Sequence, residues 1–306
     1  MIYILGIERS ATTWLANILD HQPQLNVYME PLSDFNSRFK DWPNRFSKLQ
    51  NLEERAHEFQ KEFEVLKKHQ RFFLTRVSDS PLAWRSDLKL AQLLARKKLA
   101  PGFVKDFSES NFHRKSRTIS LTKQSPIQTV IKELRLNFNA SLIPLIDKNP
   151  KVIVSIREMA SCVRSIMKSM DQGYLIELKS DLEEHYGKIN PEILCSYWIE
   201  NYDELITTLQ NDNIPFEIVF HTELLKTPNE VTEKMFHFLG LPVTAVVKNY
   251  LDISDDSGHG VHSTKRNRKK LLKQMEKDRD SIHPLVEKKL KKIQQHPFLS
   301  QYIRHS

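Results

Sequence analysis

The residues from Gly6 to Thr13, GIERSATT, have the types and spacing of a phosphate-binding loop. Nucleoside triphosphate sites have a glycine, four free positions and then Gly-Lys-Ser/Thr. The first glycine and the last hydroxyl match this pattern, but Ala11 and Thr12 replace the inner glycine and the lysine. The cation that would reach the outer phosphates is missing, and Arg9 supplies a positive charge three residues earlier. The loop therefore predicts a ligand that carries a phosphate group but is not ATP.

The flanking residues predict a strand, a turn and a helix. Ile2 to Leu5 is a short apolar run, and Thr13 to Leu19 has apolar residues at helical spacing. A helix that begins near Ser10 or Thr12 directs unpaired backbone N–H groups at the turn, where they and the helix dipole hold an anion. Serine and threonine also cap helix starts. On spacing alone, a capped turn without a ligand remains an alternative.

A second candidate phosphate site lies between Lys151 and Ser169, KVIVSIREMASCVRSIMKS. Val152 to Ile156 predicts a buried parallel strand, with Arg157 at its C-terminal end and Ser165 about two turns into the next helix. An arginine fork and a hydroxyl suit a phosphate dianion. The alternative for Arg157 is a surface salt bridge near a strand end.

Together these segments resemble the sulfotransferases that use 3'-phosphoadenosine 5'-phosphosulfate (PAPS). Arg9 to Trp14, RSATTW, is similar to their 5'-phosphosulfate loop, K/R-S-G-T-T, and Lys151 to Ser169 is similar to their 3'-phosphate motif, a strand followed by R-D-P-R-A-V and a later serine. The resemblance implies that the cofactor-binding residues are Arg9, Ser10, Ala11, Thr12, Thr13, Trp14, Arg157 and Ser165.

The chain departs from the family pattern at two places. Ala11 replaces the loop glycine, and Glu158-Met159 replaces Asp-Pro after the arginine. If Ala11 must adopt a positive φ, its side chain strains the backbone by about 1 kcal/mol or more.

Glu30 is the candidate catalytic base. Val27 to Met29 predicts a strand whose C-terminal end lies on the side of the first loop, where parallel α/β sheets bind ligands. Carbohydrate and tyrosylprotein sulfotransferases place a glutamate similarly, in the carbohydrate group often before proline, as in Glu30-Pro31. The resemblance implies that Glu30 accepts the acceptor proton while Arg9, also catalytic, offsets charge on the leaving phosphate oxygen. The alternatives are that Glu30 is a solvated loop residue, or that a histidine such as His113 is the base.

The tail GHGVHSTKRNRKK, from Gly258 to Lys270, resembles the S-T-x-R-N segment of carbohydrate sulfotransferases. The resemblance implies that Ser263, Thr264 and Arg266 contact PAPS. It further implies that residues 258–306 form a closing loop and helices.

Two other segments have counterparts in the family. VIKELRL resembles the K-x-x-R of the carbohydrate group, so Lys132 and Arg135 either line an anionic cleft or, as we favour, form the exposed face of a helix. Trp198 resembles a family tryptophan on a helix, and Phe216 to Pro242 resembles a later strand and helix ending in F-L-G-L with Gly240 as its C-cap. We interpret these last two as packing elements.

The length of 306 residues suggests one or two domains, and we predict a single α/β domain, for whose core the hydrophobic content of 40% is sufficient. No apolar run approaches the length of a membrane span, and the sequence begins directly with the first strand, so we expect a cytoplasmic protein without a transmembrane segment. Cys162 and Cys195 lack metal-ligand company, which predicts reduced packing residues and no metal. Charged helices are expected from Phe46 to Gln70 and from Arg266 to Gln295.

A net charge of +8 favours anionic ligands. Nucleic-acid binding is an alternative because of the KRNRKK run from Lys265, but no recognition motif accompanies it. A P-loop kinase is a further alternative. It requires a magnesium-binding carboxylate at the end of a central strand, but the residue at that position is Arg157.

The sequence thus predicts an α/β fold with a central, mainly parallel sheet, helices on both faces and a P-loop-like strand-loop-helix. The resemblance implies sulfuryl transfer from PAPS to an acceptor hydroxyl. The desulfated nucleotide, PAP, is then the second product, and no nucleic-acid partner is expected. Glu30-Pro31 and the tail favour a carbohydrate or glycolipid acceptor, and a small alcohol or a polyketide stays open. We expect residues 35–100 and 170–190 to shape the acceptor site. The oligomeric state is left open.

Overall fold

The computed structural model describes residues 1–32, 42, 44–68, 128–256 and 271–278. Its elements, in chain order, are β1 (Ile2–Gly6), α1 (Thr12–Asp20), β2 (Leu25–Met29), α2 (Leu52–Lys68), β3 (Gln128–Lys132), a 3-10 helix (Asn137–Leu142), α3 (Ile143–Ile146), β4 (Lys151–Ile156), α4 (Met159–Asp171), α5 (Ile176–Tyr186), α6 (Pro191–Asn211), β5 (Phe216–Phe220), α7 (His221–Lys226), α8 (Pro228–Leu239), α9 (Ala245–Asp256) and α10 (271–278).

The strands of the described part form one sheet in the order β2-β3-β1-β4-β5, and every neighbouring pair is parallel. In the centre, Ile2 of β1 lies opposite Val130 of β3 and Lys151 of β4. Because the strands are parallel, their C-terminal ends meet at one edge of the sheet. The loop after β1, Glu30 after β2 and Arg157 after β4 therefore share that edge, as the sequence predicts.

Helices cover both faces of the sheet, which confirms the predicted α/β architecture. Tyr3 and Leu5 of β1 pack in an apolar cluster with α2, α4 and α6, whereas Ile2 and Ile4 pack in a second cluster with α1, α8 and α9. Successive side chains of a strand point to opposite faces, so the continuous apolar run of β1 fills two cores. Within the described ranges, no helix has both the length and the apolar composition that a membrane span requires.

The helix predicted from Phe46 begins later, at Leu52, directly after Asn51 with its left-handed φ of 54°. Phe46 lies in a loop, where its ring stacks on His185 at a centroid distance of 4.3 Å and meets the edge of Tyr197 at 5.7 Å. Its apolar contacts are therefore tertiary and not those of a helix face. The predicted end of α8 is confirmed, with Gly240 as a left-handed C-cap at φ 72°.

Candidate functional site

The predicted phosphate-binding loop leaves β1 through a glycine, and a larger residue there would displace the atoms around it. Gly6 has a φ of 145°, and a Cβ at this position would lie 2.6 Å from the Ser155 carbonyl oxygen and 2.9 Å from Ser10 Oγ. Real Cβ atoms do not approach so closely. Gly6 therefore permits the close packing of β1, β4 and the loop.

The loop contains two non-glycine residues in left-handed conformations, Arg9 at φ 67° and Ala11 at φ 78°. Such a conformation costs about 1–2 kcal/mol for each residue with a side chain. Ala11 therefore has the positive φ at which backbone strain is expected from the sequence. Alternating left-handed residues also turn successive backbone N–H groups into a concave anion site.

The side-chain cap predicted at the start of α1 is wrong. The helix begins at Thr12, its N-cap position is Ala11, and no side chain caps it. The Ser10 hydroxyl, which is fully buried, donates instead to the Ile7 carbonyl oxygen at 2.7 Å and stabilises the loop. No capping side chain competes with an anion for this helix start.

The two predicted phosphate motifs meet in space. Arg157 Nη1 donates to the carbonyl oxygen of Arg9 at 3.1 Å across 148 residues of sequence, and Arg9 Nε donates to Ser165 Oγ at 3.0 Å. The structure therefore gathers two guanidinium groups and a hydroxyl beside the loop that follows β1.

Arg157 is held by two residues whose roles the sequence did not indicate. Its Nε and Nη2 both donate to Ser161 Oγ, at 3.0 and 2.5 Å, and Trp198 Nε1 donates to its carbonyl oxygen at 3.0 Å. Ser161 follows Arg157 by four residues near the start of α4, a position from which a hydroxyl reaches back to the strand end. Trp198, interpreted as a packing residue, is buried and also forms this hydrogen bond.

The electrostatics of the pair favour an anion. Burial lowers the pKa of Arg157 from its ordinary value, and the nearby positive charge of Arg9 acts in the same direction. An anion that contacts both guanidinium groups would offset this repulsion.

Glu30 is paired with Lys132, a cation for which the sequence favours an exposed helix face. The Glu30 carboxylate contacts the ammonium group of Lys132, and its backbone N–H donates to the Lys132 carbonyl oxygen at 2.6 Å. The Glu30 side chain is 40% exposed, whereas that of Lys132 is 2% exposed. Burial lowers the pKa of Lys132 to about 8, although the charge of Glu133 beside it acts to raise it.

The interpretation of Lys132 and Arg135 as an exposed helix face is therefore wrong. Lys132 is the last residue of β3, and Arg135 is also buried and donates to Glu177 at 2.9 Å. The K-x-x-R spacing begins in a strand, so the two side chains share no helix surface.

The other predicted site residues are distributed as follows. Thr12 and Thr13 open α1, and Trp14 is buried in the apolar cluster on that face, with its ring 6.5 Å from that of His221. The remaining predicted residues lie outside the described ones: Ser263, Thr264, Arg266 and His113.

The helix that follows the predicted tail motif does lie at the site. Asp278 of α10 accepts from Arg164 Nε of α4 at 3.0 Å, and Arg164 directly precedes Ser165 and follows Ser161 by three residues. The C-terminal segment therefore returns to the helix that carries both serines.

Cys162 and Cys195 are buried and form no disulfide, in agreement with the prediction that both are reduced packing residues. Among the residues that the structure describes, no group of three or more His, Cys, Asp or Glu side chains is placed to hold a metal ion.

Comparisons with known proteins give one family. Residues 2–245 match the model of the sulfotransferase family. A search of curated proteins finds no match.

Several solved structures are similar. One is the sulfotransferase domain from the curacin biosynthetic pathway, with 15% identity over 81% of this chain and 76% of that one and a TM-score of 0.43. Another is sulfotransferase STF9 from Mycobacterium avium, with 11% identity over 92% of this chain and 76% of that one and a TM-score of 0.41. A third is the sulfotransferase domain from the Synechococcus PCC 7002 olefin synthase (14% identity, 81% and 75%, TM-score 0.42).

Proposed function

The chain belongs to the sulfotransferase family, and we propose that it transfers a sulfuryl group from PAPS to an acceptor hydroxyl and releases PAP. One observation carries the proposal. Arg157 donates to the backbone of Arg9, which in turn donates to Ser165, so the two sequence motifs for the ends of the nucleotide form one cationic site. PAPS has anionic groups at both its 5' and 3' ends, and this site offers a cation for each.

In this proposal the loop binds the 5'-phosphosulfate through backbone N–H groups and short side chains. Its members are Arg9, Ser10, Ala11, Thr12, Thr13 and Trp14. The left-handed conformations of Arg9 and Ala11 support this role because they form a concave N–H surface at a helix start. Arg157 and Ser165 bind the 3'-phosphate, with Arg157 oriented by Ser161.

Glu30 acts as the base. The acceptor oxygen attacks sulfur, its bond to sulfur forms as the bond from sulfur to the phosphate oxygen breaks, and the hydroxyl proton passes to Glu30. Arg9 offsets the charge that develops on the leaving phosphate oxygen. Lys132, whose pKa is about 8, is cationic at neutral pH and holds the Glu30 carboxylate in place.

The acceptor is proposed to be a carbohydrate or a glycolipid, on the basis of Glu30-Pro31 and the tail motif. Ser263, Thr264 and Arg266 are proposed to close over PAPS, within a closing segment of residues 258–306. The contact of Asp278 with Arg164 supports this arrangement, because it anchors the helix after the tail beside the 3'-phosphate residues.

Ligand-induced stabilisation tests the cofactor. A ligand at 100 times its dissociation constant stabilises a protein by about 2.7 kcal/mol, which is a clear shift of the melting temperature. We expect PAP to produce this shift, and ATP with magnesium or an oligonucleotide at equal concentration to produce less. Stabilisation by ATP with magnesium but not by PAP would overturn the proposal in favour of a kinase, and preferential binding of the oligonucleotide would favour a nucleic-acid-binding protein. Transfer of labelled sulfate from PAPS to a panel of glycans, glycolipids and simple alcohols would then identify the acceptor.

A further inference from the structure

A buried ion-pair cluster lies directly before the cationic loop residue. We call it the Arg45 cluster, and it consists of Glu8, Arg45, Asp181 and Tyr197. The Arg45 and Glu8 side chains are 4% and 6% exposed and form an ion pair, and Arg45 Nε donates to Asp181 Oδ2 at 2.6 Å. The Tyr197 hydroxyl donates to the second oxygen of Glu8 at 2.7 Å. Both carboxylate oxygens of Glu8 are therefore held.

The cluster fixes the backbone as well as the side chain at this point of the loop. The Cys162 thiol, on α4, donates to the Glu8 carbonyl oxygen at 3.4 Å. The next residue, Arg9, has the unfavourable φ of 67°. Strained conformations persist only where the surrounding structure determines them. The contacts that hold Glu8, the residue directly before Arg9, supply that restraint.

The charges of the cluster depend on each other. Burial acts to raise the pKa of Glu8, but the Arg45 charge and the hydrogen bonds from Tyr197 and Arg45 hold it below its ordinary value. A buried ion pair adds little net stability compared with apolar packing, although removal of one partner is costly. Its value to this fold therefore lies in the geometry that it imposes.

We propose that Arg45 is a positioning residue for sulfuryl transfer. Through Glu8, it holds Arg9 in the left-handed conformation from which the Arg9 guanidinium reaches Ser165. The inference rests on the proposed function. Because Arg45 lies before α2 and Asp181 lies on α5, the cluster ties two segments outside the strand-loop-helix to the nucleotide loop.

Two mild variants test the proposal. Tyr197→Phe removes one hydrogen bond to Glu8, and Arg45→Lys keeps the charge but loses the fork that joins Glu8 to Asp181. We expect each to weaken PAP binding about tenfold, the scale of a lost hydrogen bond to a charged group, with an unchanged acceptor KM. Lys48→Met is the matched control, because Lys48 lies three residues from Arg45 and forms an exposed ion pair with Glu204 at 2.9 Å. It should bind PAP like the wild type.

A double-mutant cycle separates positioning from general stability. If the cluster acts through Arg9, Tyr197→Phe should have no further effect on PAP affinity in an Arg9→Ala background, whereas a merely structural role would give additive losses. Calorimetry on protein whose folding is verified by circular dichroism provides the readout. Wild-type affinity in both Tyr197→Phe and Arg45→Lys, or additivity in the cycle, would overturn the inference and leave the proposed function intact. Absence of PAP binding by the wild type would instead overturn the proposed function.

Discussion

The two halves of the site edge differ in how their charges are balanced. At the ends of β1 and β4, the hydrogen bonds of Arg9 and Arg157 go to serine hydroxyls and a carbonyl oxygen, and the carboxylates of Glu158 and Asp278 act on Arg157 through space. At the ends of β2 and β3, the Lys132 ammonium group meets the Glu30 carboxylate. A cationic half suits an anionic nucleotide, and a balanced half suits a neutral hydroxyl and a proton transfer. Substitutions of Arg157 in the cationic half and of Glu30 in the balanced half should therefore separate binding from turnover.

The largest effect is expected in the balanced half. Glu30→Gln should lower kcat by about 10²–10⁴-fold, the usual contribution of a general base, and leave PAP affinity nearly unchanged. Steady-state kinetics at saturating PAPS and calorimetry with PAP measure the two quantities. Full turnover of this variant at saturation would exclude Glu30 as the base.

In the cationic half, Arg157→Ala should mainly weaken nucleotide binding. A hydrogen bond to a charged group contributes about 1.5–3 kcal/mol, which corresponds to about a 10-fold to 100-fold rise in the PAP dissociation constant. The matched control is Arg55→Ala, which removes a half-buried ion pair with Glu58 on α2, away from the strand ends. A larger loss in kcat than in affinity for Arg157→Ala would reverse the assignment of the two halves.

The balanced half should also respond to pH. Since the pKa of Lys132 is about 8, its charge is lost above that pH, and we expect kcat to fall severalfold between pH 8 and pH 9. Lys132→Arg stays charged and should flatten this descending limb. An identical limb in both proteins would show that another group causes it.

Stability should change in the opposite sense over that range. The unfolded chain, with an ordinary lysine pKa of 10.5, binds more protons than the folded one between about pH 8 and pH 10.5, so this residue makes the free energy of unfolding rise with pH. Urea titrations of wild type and Lys132→Met at both ends of that range measure the difference, and Lys132→Met should lack this rise.

The smallest effect is expected within the loop itself. Ala11→Gly relieves a left-handed alanine and should raise the free energy of unfolding by about 0.5–1 kcal/mol, because relief of strain exceeds the entropy of an added glycine. Ala16→Gly, in the interior of α1, is the matched control and should lower it by about 0.5–1 kcal/mol. Urea denaturation distinguishes the signs. A destabilised Ala11→Gly would mean that Ala11 is not strained.

Sequence patterns predict best the elements whose apolar residues allow only one secondary structure and one buried position. β1 and β4 are continuous apolar runs that must be buried on both faces, and the loop between β1 and α1 follows from its motif. The start of α2 was misplaced because Phe46 fits a helical pattern but packs against residues far away in sequence. The prediction of an exposed helix face at Lys132 and Arg135 is wrong because a spacing of three residues places two side chains on one face only in a helix, and Lys132 ends a strand.

The site contacts themselves were less predictable. Spacing singled out Arg157 and Ser165 as candidates, but the hydrogen bonds from Arg157 to the Arg9 carbonyl oxygen and from Tyr197 to Glu8 join segments whose proximity depends on the whole fold. A buried glutamate in a loop gives no sequence signal until its arginine partner is known.

The strand order has a consequence for inhibitor size. With β3 between β2 and β1, Glu30 and the nucleotide loop start from strands two spacings apart, or about 10 Å. A compound that engages both the proposed base and the proposed phosphate loop must bridge that width, so we expect a nucleotide analogue alone to leave the Glu30 side empty. A PAP-like group joined to a mimic of the attacking alcohol by a linker of this length would occupy both.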